Sequence, residues 1–188
     1  MFIIHSGNAD TKESFGPYVV NKAKNLGFDV IFPDFPHKGG ADYQKWSAIM
    51  DQYITSGKLN DDSIVIGHSL GTLFIPKYLS ERQVGIKVFI SVAGFLGYTE
   101  GREDLKKIVD DFAPTDEEII KSISLMQNRY AIYSDNDHLN TQEQMETYAK
   151  KLNMVQVFIP KAGHFGTRSG IKELPEIFKI IKKIKEKR

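Results

Sequence analysis

Short apolar runs alternate with longer amphipathic stretches along this chain. Six runs are apolar and mostly β-branched: Phe2–His5, Val30–Phe32, Ser63–Ile66, Lys87–Val92, Tyr130–Ser134 and Val155–Ile159. They do not alternate in polarity. Such runs predict strands buried on both faces, as in a parallel sheet covered by helices. Between them, Lys12–Asn25, Tyr43–Thr55, Leu70–Ser80, Thr115–Ser124, Thr141–Leu152 and Ile171–Lys185 have helical spacing. Thr141 and Gln144 form a capping-box pattern ahead of the fifth helix, and Gly27 stands just past the end of the first. The alternation predicts an open, doubly wound α/β domain: about six parallel strands with helices on both faces.

The segment 94–115 has no clear period. It reads equally as a small cap over the C-terminal edge of the sheet or as a surface loop with one helical turn. The amphipathic, basic C-terminus is expected to dock its Ile and Phe stripe on the sheet rather than on a membrane.

Length and composition narrow the function classes. The chain has 188 residues, 41% hydrophobic and 26% charged, which suits one globular domain over residues 1–188. A net charge of +1 offers no strong field for nucleic acid or an anionic membrane. The absence of cysteine excludes disulfides, a thiolate nucleophile and a cysteine metal site. The run Met1–His5 is too short for a signal-peptide core, and no stretch is long enough to span a membrane. A cytoplasmic location is expected, with a monomer as the default.

Candidate chemistry centres on Gly67-His68-Ser69-Leu70-Gly71. The pattern alone is cheap. Its position, after a β-branched run and before a helical stretch, predicts a strained strand-to-helix turn that lifts a serine hydroxyl out of the sheet. The helix N-terminus then offers the Leu70 N–H to a developing oxyanion. A serine nucleophile needs a base, and the base needs an orienting carboxylate, here expected in the order Ser, Asp, His. His164, between Gly163 and Gly166 after the last strand, is the expected base, with His138 second. Asp137 is preferred as the acid over Asp135, which suits an Asx-turn at the strand end. The Asn8 N–H, in the loop after the first strand, is the second oxyanion donor. His5 is read as a loop-fixing residue. Phe15, Tyr18, Phe95, Leu96 and Phe165 are candidate pocket residues, each individually better suited to the core than to a pocket lining. No metal or organic cofactor is required.

The points His5-Ser6-Gly7-Asn8, Gly67-His68-Ser69-Leu70-Gly71, Ser134-Asp135-Asn136-Asp137 and Gly163-His164-Phe165, in that order, resemble the small α/β-hydrolase family that includes retinoblastoma-binding protein nine and bacterial YdeN-type hydrolases. The resemblance implies a compact sheet lacking the first two strands of larger α/β hydrolases. It implies Ser69, Asp137 and His164 as the triad of a serine hydrolase, in some members a carboxylesterase. His138 stands where the family often has Pro, and Phe15 or Tyr18 where it often has Trp. The expected activity is cleavage of a small ester or related acyl compound, with a rate that rises as the base loses its proton. The alternatives are a peptidase or thioesterase using the same triad, or a binding protein with little turnover on the same fold.

Overall fold

The computed structural model describes residues 1–8, 11–12, 14–97 and 103–186. Five strands form one parallel sheet in the order β1 (Phe2–Ile4), β2 (Ile64–His68), β3 (Ile86–Val92), β4 (Met126–Tyr133) and β5 (Val155–Phe158). Helices α1 (Gly16–Asn25), α2 (Tyr43–Thr55), α3 (Leu70–Arg82), α4 (Glu103–Phe112), α5 (Asp116–Leu125), α6 (Gln142–Lys151) and α7 (Glu176–Glu186) connect and cover them.

Alternate strand residues feed two separate cores, as the period-2 geometry of a strand demands. Phe2, Ile4, Val65, Phe89 and Ala131 join the cluster under α2, α3 and α5. Ile3, Ile64, Ile66, Val88, Ile90 and Ile132 join the cluster under α1 and α7. Burial on both faces explains why the strands read as continuous apolar runs.

The expected strand Val30–Phe32 is reduced to a single bridge between Phe2 and Ile31. The Ile31 N–H donates to Met1 O at 2.9 Å and Ile31 O accepts from Ile3 N at 3.0 Å. Pro33, two residues on, has no N–H to extend the ladder. Among the described residues the sheet therefore has five strands, not six. Ile31 lies on one side of β1 and β2 on the other, so the chain reverses its winding at β1. The crevice beyond the C-terminal ends of β1 and β2 is the switch point where open α/β sheets bind ligands.

Segment 94–115 is also corrected, in part. It contains α4, whose stripe Leu105, Ile108, Val109 and Phe112 follows helical spacing. Phe112 is fully buried against Tyr43 and Trp46, and Asp111 Oδ2 accepts the Tyr43 N–H at 2.8 Å. Residues 98–102 lie outside the described set. Two helices start later than the hydrophobic spacing suggests. Pro17 sits in the first turn of α1 and Pro175 directly precedes α7, and proline favours a helix start.

Within α3, Pro76 cannot donate to the Thr72 carbonyl one turn back. Tyr148 on α6 supplies that bond, its hydroxyl donating to Thr72 O at 2.8 Å. The helix that carries the elbow thus keeps a buried proline without an orphaned acceptor.

Candidate active site

Ser69 joins β2 to α3 with φ 52° and ψ −117°, a conformation that costs a non-glycine residue about 1–3 kcal/mol. Its surroundings hold it there. The Ser69 N–H donates to Val92 O at 3.0 Å, and Ser69 O accepts from Thr72 N at 2.8 Å and Thr72 Oγ1 at 2.6 Å. The flanking glycines are steric necessities. A Cβ on Gly67 would stand 2.8 Å from Gly71 O, and one on Gly71 would stand 2.7 Å from Ile4 O. Their absence lets the first turn of α3 touch the end of β1. The Leu70 N–H and the Gly7–Asn8 loop consequently border one cavity.

Four consecutive residues after β4 grip four consecutive residues after β5. Asp135 Oδ1 accepts the Lys161 N–H at 2.7 Å, and Ser134 Oγ accepts the Ala162 N–H at 2.9 Å. Asn136 Oδ1 accepts the Gly163 N–H at 2.7 Å. Asp137 Oδ2 lies 2.7 Å from His164 Nδ1. Three of these bonds hold backbone and the fourth holds the imidazole. The Asp137 carboxylate fixes the proton on Nδ1 and leaves Nε2 as the acceptor.

Asp137 has no exposed side-chain surface. Burial pushes its carboxyl up. The bonds from His164, from Leu139 N at 2.8 Å and from Asn140 N at 3.3 Å outweigh that and hold it below the ordinary carboxylate value. The His164 N–H itself donates to Ser169 Oγ at 3.1 Å, in the short 3-10 turn Thr167–Ser169.

His68, inside the elbow motif, braces the same loop. Its Nε2 donates to His164 O at 2.8 Å, and its ring lies 5.2 Å from that of His164. Burial, then the neighbouring His164, depress its pKa to about 3, so it is neutral at ordinary pH. His5 is buried, with Nε2 accepting the Phe35 N–H at 3.0 Å and Nδ1 bonded to Ser6 O at 2.7 Å. It fixes the loop after β1 to the segment after Ile31. Among the described residues His5, Asp34 and His37 are close enough to suggest a metal. Both ring nitrogens of His5 are already engaged, which leaves no open ligand there.

The cavity has a volume of about 360 Å³. Ser69, Leu70, Asn8, His164 and Phe95 line it. Four of the expected pocket residues do not. Phe15 is buried against the His68 ring at 5.3 Å, and Phe165 is fully buried in the core under α1 and α7. Tyr18 stacks edge-on to Phe178, and Leu96 packs on the opposite core. The apolar wall is made instead by Leu105, Ile108 and Val109 of α4, with Leu139. Their i, i+3, i+4 spacing was present in the sequence, interleaved with enough charge to obscure it. His138 lies on the rim, its ring 5.8 Å from that of His164, and Asp137 rather than His138 is its bonded partner.

A family described as "Serine hydrolase" matches residues 37–183. No curated protein matches the chain by sequence. Among solved structures, the chain resembles the ydeN gene product of B. subtilis, with a TM-score of 0.87 and 20% identity over 97% of this chain and 96% of that one. It also resembles Est1E from Butyrivibrio proteoclasticus, solved with ferulic acid, with a TM-score of 0.65 and 17% identity over 91% and 85% of the two chains. A third likeness is to a structure from Nitrososphaera gargenis reported with activity profiles of carboxylesterases. There the TM-score is 0.71 and the identity 12%, over 97% and 88%. At these identities the likenesses establish the α/β-hydrolase fold alone.

Proposed function

The chain belongs to the serine hydrolase family, and from that premise we propose that it cleaves small esters through an acyl-enzyme on Ser69. The observation that carries the reading is the His164–Asp137 pair, 2.7 Å apart, on the cavity that Ser69 lines.

Ser69 Oγ attacks the acyl carbonyl as His164 Nε2 takes its proton. Asp137 holds the imidazole in the required tautomer and stabilises the imidazolium that forms. The developing oxyanion receives the N–H groups of Leu70 and Asn8. His164 then returns the proton to the leaving alcohol. Water enters, gives its proton to His164 and releases the acid. Ser69 and His164 line the same cavity, which is what the proton transfer requires. α4 acts as a short cap whose Leu105, Ile108 and Val109 exclude water from the acyl group. The reading places the enzyme's work in the cytoplasm, on small molecules; among the described residues no helix is long and apolar enough to cross a membrane.

The test is hydrolysis of p-nitrophenyl butyrate by wild type, Asp137→Asn and Asp135→Asn. Asp137→Asn should lower kcat by about ten-thousand-fold, because the amide reverses the tautomer. Asp135→Asn, which can still accept the Lys161 N–H through Oδ1, should change it less than about threefold. The opposite ranking would overturn the assignment of the acid.

A further inference from the structure

We propose that the preferred substrate carries an oxyanion, a carboxylate or a phosphate, which Arg168 holds while the ester sits at Ser69. This rests on the hydrolase reading above and specifies the substrate class of the same site.

Arg168 sits on the turn Thr167–Ser169, four residues past the base. Its side chain borders the cavity of Ser69 and also an adjoining cavity lined by Asn136, His138, Lys161 and Gly163. The turn is fixed relative to the catalytic base, because Ser169 Oγ accepts the His164 N–H and Gly170 closes the turn at φ 69°. The backbone that carries Arg168 is thus tied to the backbone of His164, while its side chain is exposed beside the cavity.

Of the three described arginines, the other two are spoken for. Arg82 makes two bonds to the Asp51 carboxylate and one to Glu81. Arg129 donates to the carbonyls of Ile123, Met126, Leu152 and Asn153. Arg168 is exposed, lines the cavity and has no partner among the described residues, so its donors are open to a ligand. Lys161 adds a second cation to the rim, with the ionisable His138 beside it.

No described residue lining either cavity is acidic. The two carboxylates of the loop after β4 are already committed: Asp135 to the Lys161 amide and Asp137 to His164, Leu139 and Asn140. The same cavity has an apolar lining in Phe95, Leu105, Ile108 and Val109. The site therefore offers hydrocarbon contacts together with a guanidinium, which binds a planar or tetrahedral anion in bidentate fashion.

The experiment compares matched esters that differ in charge. For an anion in the acyl part, the pair is mono-p-nitrophenyl succinate and p-nitrophenyl pentanoate. For an anion in the alcohol part, it is 4-carboxyphenyl acetate and 4-carbamoylphenyl acetate. Phenyl acetate bearing a 4-phosphate in place of the carboxylate separates phosphate from carboxylate recognition. Wild type should favour the charged member of at least one pair by about tenfold in kcat/KM. Arg168→Gln should abolish that ratio. Arg168→Glu should invert it, turning the preference toward an ester bearing an ammonium group, which a merely structural role for Arg168 would not do.

Ratios near one in both pairs with no preference for the phosphate ester, or preferences that survive in Arg168→Gln, would overturn the inference and leave the hydrolase intact. No hydrolysis of any member, together with no reaction of Ser69 with an organophosphonate, would overturn the hydrolase reading and this inference with it.

Discussion

Replacing His68 by Gln should flatten the acid side of the stability profile. His68 is buried and neutral in the fold, its pKa lowered to about 3 from the ordinary 6.5, first by burial and then by the adjacent His164. In the unfolded chain it takes up a proton near its ordinary value. Between those two values the unfolded state binds the extra proton, so stability falls as pH falls. The contribution is fully present above pH 6.5 and is lost on the way down toward pH 3. Each unit in that window is worth about 1.4 kcal/mol, and integration from pH 8 to pH 5 gives about 2 kcal/mol. Gln does not titrate, and its amide can still donate to His164 O.

The variant should be less stable than wild type at pH 8, because the His68 ring packs on Phe15 and His164. That deficit should shrink by about 2 kcal/mol at pH 5. The assay is urea unfolding at four pH values, followed by the fluorescence of Trp46, the single tryptophan and fully buried. Comparison with wild type cancels the other histidines. A deficit that stays constant from pH 8 to pH 5 would refute a neutral, buried His68.

Three further outcomes follow from the geometry. Gly71→Ala places a methyl 2.7 Å from Ile4 O and should destabilise the fold by about 1–3 kcal/mol, read as a shifted urea midpoint. Asn136→Ala removes the acceptor of the Gly163 N–H and should cost about 1–3 kcal/mol in the same assay. It should also lower kcat more than it raises KM, because the base loop loses a tie. Leu105→Ala with Val109→Ala should flatten the dependence of kcat/KM on acyl chain length, measured over p-nitrophenyl acetate to hexanoate, since α4 supplies the apolar wall.

The legible parts of the fold were those governed by local periodicity. α2 occupies Tyr43–Thr55 as its spacing predicts, with the Asp42 side chain capping the Lys45 N–H at 2.8 Å. The Thr141–Gln144 capping box forms in both directions. The elbow was readable because sterics tie glycine to fixed offsets around Ser69. What escaped depended on tertiary partners. Val30–Phe32 has a strand's composition, but Pro33 ends its pairing. The charged face of α4 concealed a stripe that has meaning only once Tyr43, Trp46 and the cavity are opposite it. Phe15 and Phe165 have pocket-like chemistry, yet the sheet face they lie on turns them into core. The ties from Ser134–Asp137 to Lys161–His164 join loops more than 20 residues apart and follow no period. A run of short polar side chains was their only trace in the sequence.

The central claim is that Ser69 is a nucleophile activated by His164. It is tested most directly by treating folded protein with a fluorophosphonate probe and mapping the adduct by peptide mass spectrometry. The account predicts one adduct, on Ser69, absent in Ser69→Ala and formed far more slowly in His164→Ala. Folded wild-type protein that stays unlabelled, or that carries its adduct on another serine, would contradict it.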